Sequence, residues 1–192
     1  MNNFFSKFRD QSRDVLGRDL AALGIRVHLA DRGRKEEKIR AGFRWLGSVS
    51  LGVIDIDGGP VTWINVVRIK RRDRNSGPMY RVVFGIPNDK LPENHHPLKL
   101  TTVRKKTFPV FGKVTDVDWN GNAVLLPLIT TFSNDSAVDQ FVTEVGNLQV
   151  RTHPPQFQGF TIEVDRKFRP NLQHWAAIQK IAEHLLATTR DL

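Results

Sequence analysis

Six segments with a side-chain period near two, or short β-branched runs, follow one another along this chain with no helical pattern between them. They are Ile25 to Leu29, Phe43 to Ile56, Val61 to Ile69, Tyr80 to Ile86, Leu98 to Val103 and Gly112 to Trp119. Strands that run together rather than alternating with helices argue against a doubly wound parallel sheet and for an α+β fold built on a mainly antiparallel sheet. Two further runs, Leu148 to Thr152 and Phe160 to Asp165, lie nearer the C-terminus. Turn chemistry supports the pairing: Asp57-Gly58-Gly59-Pro60 and Asn75-Ser76-Gly77-Pro78 separate strand candidates at hairpin distance, so residues 43–86 read as an antiparallel meander.

Helical periodicity is confined to three places. At 100° per residue, Phe4, Phe5, Phe8, Val15, Leu16, Leu20 and Leu23 fall on one arc, with Lys7, Asp10, Arg13, Asp14 and Arg18 opposite. This is an N-terminal amphipathic helix from about Asn3 to Leu23, stopped by Gly24 and weakened by Gly17, which costs about 1 kcal/mol relative to alanine. A short internal helix is expected from Ser136 to Val145, with Ser136 and Asp139 as a capping box and Gly146-Asn147 as its end. The C-terminal helix starts at Asn171, a favourable N-cap, and aligns Leu172, Trp175, Ile178, Ile181, Ala182, Leu185 and Leu186 on one face. These apolar faces are expected to pack on the sheet. With 192 residues and 40% hydrophobic content, the chain suffices for one α+β domain over 1–192, the weak alternative boundary being Pro87 to Pro97.

Several classes are set aside by composition. There is no cysteine, which removes disulfide frameworks, thiol nucleophiles, Cys-ligated zinc and iron–sulfur clusters. The apolar runs Val49 to Ile56 and Ala123 to Thr131 are short or broken by Asp55 and Pro127, so no transmembrane helix is expected. The N-terminus lacks the basic and continuous apolar regions of a secretory signal, which makes a cytoplasmic location the default.

Charge is the extreme feature. The formal net charge is +9, and it is unevenly spread: residues 1–113 carry 23 Lys+Arg against 11 Asp+Glu, whereas residues 114–192 carry 6 against 9. Such asymmetry points to an anionic partner without specifying a fold. The candidate polyanion-binding residues are Arg68, Lys70, Arg71, Arg72 and Arg74 on one hairpin and Arg104, Lys105 and Lys106 near another strand end. A solvated hairpin tip whose charges keep sheet edges apart explains the same residues. Phe4, Phe5 and Phe8 are the candidate interface residues, for a membrane surface or a protein partner, although covering the chain's own sheet is the simpler use of that stripe.

Metal and catalytic motifs are weak. Asp116, Asp118, Asn120 and Gly121 match the opening of a calcium loop, but the twelfth position is Pro127 rather than glutamate, and a turn at Trp119-Asn120-Gly121 accounts for the pattern. Asp55, Asp57, Asp116, Asp118 and Asp165-Arg166-Lys167 could serve a metal-dependent nuclease only if their strands were adjacent. The histidines form no local zinc pair, and no nucleophile elbow, P-loop or dinucleotide fingerprint occurs. The expectation is a non-catalytic binding or assembly module, with no metal or cofactor assigned. Its basic surface would meet membrane headgroups or an acidic protein, possible peripheral membrane contact included. Nucleic-acid binding is the alternative, and a metal-dependent nuclease the second.

Overall fold

The computed structural model describes residues 10–39, 47–70, 77–91, 97–106, 114–122, 125–153 and 157–188, with the backbone alone for Lys106, Thr115 and His153. Its strands are β1 (Val27–Leu29), β2 (Ser48–Ile56), β3 (Trp63–Ile69), β4 (Met79–Pro87), β5 (Lys99–Lys106), β6 (Val114–Gly121), β7 (Leu148–His153) and β8 (Phe157–Val164). All pair antiparallel in one eight-stranded sheet of order β1-β2-β3-β4-β8-β7-β5-β6. The architecture is α+β. The meander is present as β2, β3 and β4, and strands from both sides of the 87–97 segment join the same sheet.

The helices are α1 (Ser12–Ala22), α2 (Leu126–Asn134), α3 (Ser136–Val145) and α4 (Leu172–Thr188). Three expectations need correction here. Helix α1 begins at Ser12 rather than near Asn3, because the Asp10 carboxylate accepts the Ser12 N–H at 3.0 Å. Phe4, Phe5 and Phe8 lie outside the described residues. Helix α3 is capped by Asp135, whose Oδ1 accepts from the backbone of Ala137 (3.0 Å) and Val138 (3.3 Å), so Ser136 is its first residue and not its cap. Helix α2 was not anticipated, because Pro127 reads as a break; at the first turn of a helix proline loses no intrahelical bond, and Leu128 and Phe132 are buried below it.

Alternate residues of each strand face opposite sides of the sheet. One side carries Ile54, Ile64, Val82, Phe84, Leu100, Leu148, Ile162 and Val164, all buried in a core that also takes Leu16 and Leu20 of α1, Phe132 of α2, Phe141 of α3 and Ile178, Ile181 and Leu185 of α4. Asn171 caps α4 as expected, accepting the His174 N–H at 2.7 Å. Trp175 is only partly buried, and Leu172, although on the apolar stripe, is 64% exposed at the start of the helix.

Arg13, assigned from sequence to the polar face of α1, is buried and donates to the Ala30 carbonyl at 3.1 Å. The other side of the sheet holds a smaller cluster of Ile39, Val53, Trp63, Val83 and Phe157. There the Trp63 indole lies over Gly85 directly across on β4; a Cβ at Gly85 would sit 1.9 Å from Trp63 Cε2, so only glycine leaves room. Strand β6 continues through Asn120 and Gly121, paired with Thr101 and Leu100, which replaces the expected turn at 119–121.

Candidate anion site at one end of the sheet

Strand lengths create a notch. The pairing of β5 with β7 stops at Thr101 opposite Gln149, while β5 itself runs on to Lys106. On the other flank β7 and β8 end with Leu148 opposite Val164, and the chain continues into Asp165 and Arg166. Strand β7 therefore starts short of what lies on both sides of it. The resulting cavity, about 520 Å³, has Asn147 to Gln149 at the start of β7, Thr101 to Arg104 on the β5 wall, and Glu163, Asp165 and Arg166 on the β8 wall, with Arg81 of β4 beyond.

Local chemistry fixes these walls. The Thr102 hydroxyl accepts the Leu148 N–H at 2.7 Å, tying β7 to β5 where the ladder stops. Asp165 accepts from the backbone N–H of Asn147 at 3.0 Å and from its carboxamide at 2.7 Å. Gly146 has φ of +117° and faces Arg166 Nε and Asp165 Oδ1, which would lie 2.6 and 2.7 Å from a Cβ there. Glycine at this position thus lets the β8 wall close onto the start of β7.

Three guanidinium groups line the notch, and their counter-charges differ. Arg81 Nη1 donates to Glu163 Oε1, and the Glu163 side chain is only 5% exposed. Glu163 Oε2 is enclosed without a hydrogen-bond partner. Burial pushes its carboxyl above the ordinary range, outweighing the pull of Arg81 and Arg151. Arg166 Nε lies 3.6 Å from Asp165 Oδ1, a loose contact, since both Asp165 oxygens are already engaged by Asn147.

Arg104 crosses to the helical side and donates from Nη2 to the Thr143 carbonyl on α3, while its Nε is buried without a partner. No carboxylate lies within ion-pair distance of Arg104 among the described residues. Burial, and then the like charge of Arg166, lower its pKa, with Asp165 acting in the opposite sense.

The other cations nominated by the sequence are distributed as follows. Arg68 is near the end of β3, 3.6 Å from Asp10 Oδ2, and Tyr80 opposite it donates its hydroxyl to the same carboxylate at 2.9 Å. Lys70 is exposed. Lys105 points away from the notch side of Arg104 and is held by Asp116 (3.0 Å) and Asp118 (2.8 Å), and the hydrogen bonds its ammonium donates to the Asp118 and Asp116 carboxylates lift its pKa. Arg71, Arg72, Arg74 and the Lys106 side chain lie outside the described residues.

The described members of the two basic runs, Arg68 and Lys70 on one side and Arg104 and Lys105 on the other, lie on or beside separate strands. Strands β4, β8 and β7 separate β3 from β5, four strand spacings or about 19 Å. Arg81, Arg166 and Lys167 occupy the interval. Lys167 Nζ stands 5.4 Å from the centre of the Tyr80 ring. Arg81 is an isolated cation in sequence, and Arg166-Lys167 reads there as part of an acidic-x-Lys element; the register across β4 and β8 is what brings the three together.

The carboxylates proposed to gather around a metal do not do so. Asp55 is on β2 and Asp116 and Asp118 on β6, at opposite ends of the strand order. Asp55 is paired with Arg34 and Asp57 with His28. Among the described residues no group of three His, Asp or Glu side chains is placed to hold a metal ion, and no helix is long and apolar enough to cross a membrane. What the fold and site define is an α+β chain with an arginine-lined notch at one end of its sheet. Comparison with family models, curated proteins and solved structures gives no match.

Proposed function

We propose that this chain is a non-catalytic binding module that docks an anionic surface, the headgroup layer of a membrane, at the notch end of its sheet. The observation that carries the reading is Arg104, a half-buried guanidinium with no carboxylate beside it, flanked by Arg81 and Arg166. A like-charged cluster of this kind is stabilised by an anion that neutralises it. Lys70 at the same end adds an exposed cation with no ion pair among the described residues, and a basic residue close to an anionic membrane contributes about 1 kcal/mol.

Recognition at a point fits this end better than tracking along a strand. Four of its cations already have counter-charges: Arg68 with Asp10, Lys105 with Asp116 and Asp118, Arg81 with Glu163 and Arg166 with Asp165. A nucleic-acid groove uses a file of free cations and exposed aromatics for stacking. Here the Tyr80 ring carries Lys167, and Trp119 packs on Phe132 with ring centres 4.9 Å apart.

Co-sedimentation with phosphatidylcholine vesicles, with and without phosphatidylglycerol, tests the reading. Binding is expected only with the anionic lipid and is expected to be lost as salt is raised. Absence of vesicle binding, or binding indifferent to salt, overturns it. Retention of duplex DNA without vesicle binding replaces it with the nucleic-acid reading.

A further inference from the structure

We infer that the notch is a site for one monoanionic phosphate group, held between Arg104 on the β5 wall and Arg166 on the β8 wall. The inference rests on the reading of this end as the anion-facing one, and it adds the ligand's chemistry and the residues that hold it. The charge count comes first. The lining contains three guanidinium groups and two carboxylates, Glu163 and Asp165. Glu163 is committed to Arg81, and Asp165 to Asn147 with a loose contact to Arg166. One positive charge is left over, on Arg104, and a single negative charge completes the set.

Geometry narrows the class. The two available guanidinium groups approach from different walls of the notch, one from a strand and one from the segment after β8. A planar carboxylate is satisfied by one bidentate arginine, whereas a tetrahedral phosphate presents oxygens in several directions and suits donors that converge from separate sides. Gln149 is among the residues lining the same space, and a carboxamide is a neutral donor.

Size adds the remainder of the ligand. A cavity of about 520 Å³ is larger than a bare phosphate ion, so the group would enter as an ester with a polar substituent against Thr101 and Gln149. A lipid headgroup and a soluble phosphate ester share that chemistry.

The test uses calorimetric titration of the full chain at about pH 6, where inorganic phosphate is mainly the monoanion, with inorganic phosphate and with the diester sn-glycero-3-phosphoglycerol, alongside the vesicle assay. Both soluble probes are expected to bind, and Arg166→Gln, on a half-exposed side chain whose loss leaves the core intact, is expected to weaken them about tenfold, as befits one charge-assisted hydrogen bond. Arg104→Gln is expected to do at least as much, with its circular dichroism compared to the parent. Lys90→Gln, on an exposed residue away from the notch, is expected to change nothing. Soluble probes that fail to bind while anionic vesicles still do would overturn the phosphate site and leave the docking reading standing. Soluble binding without vesicle binding would uphold the phosphate site, assign it to a free ester and overturn the membrane reading. Phosphate binding unaffected by either arginine variant would overturn the assignment of the notch.

Discussion

Glu163 shows at the residue scale what the sequence could not. In a strand that alternates apolar and polar positions it reads as an outward carboxylate, yet it is almost fully enclosed between Arg81 and Arg151, with one oxygen unpartnered. Its counter-charges come from β4 and β7, and no local pattern announces either. Because burial raises its pKa above the ordinary glutamate value of 4.5, the folded state holds the proton more tightly than the unfolded chain does. The associated stability is full below that ordinary value and is lost as pH rises through the raised one. Urea unfolding followed across this range is expected to show a decline in stability with rising pH that Glu163→Gln removes. A decline that persists unchanged in the variant would assign the effect to another group.

Elements were more legible than the contacts between them. Each of the eight strands falls within or beside a segment marked by its own β-branched or alternating residues, and the two Gly-Pro-containing turns place β2, β3 and β4 in a meander. Such signals are local. In the remaining order, β4-β8-β7-β5-β6, the β4–β8 and β5–β7 pairings join residues far apart in sequence, for which the period of a strand carries no information. Helix α2 is not legible locally, because Pro127 reads as an interruption although it occupies the first turn.

The apolar stripe of α4 was readable from Ile178, Ile181 and Leu185, but whether its first turn reached the core was not, and Leu172 does not. Two substitutions probe this level by denaturant unfolding. Leu185→Ala, in a fully packed position, is expected to cost about 2–5 kcal/mol. Asp135→Ala is expected to cost about 0.5–2 kcal/mol through loss of the α3 cap. Equal and negligible effects would mean that α3 and α4 contribute little to the folded state.

At the scale of the whole molecule, the charge asymmetry acquires a location. The N-terminal 113 residues carry the excess of Lys and Arg, and the described part of that excess at the notch end is largely neutralised by neighbouring carboxylates. Among the described residues Arg104 is the half-buried cation there without one, and it is placed in the notch by the mismatch in strand lengths around β7. The proposed function therefore predicts a position: an anionic partner would meet the molecule at this end of the sheet and not across the helical layer. Mapping backbone amide shifts by NMR while adding phosphatidylglycerol-containing nanodiscs tests it most directly. The account predicts that the largest changes fall in residues 101–104, 147–149 and 163–167, with smaller ones at 68–70. Changes concentrated on α2 and α4, or at the β1 edge, with the notch residues unmoved, would contradict it.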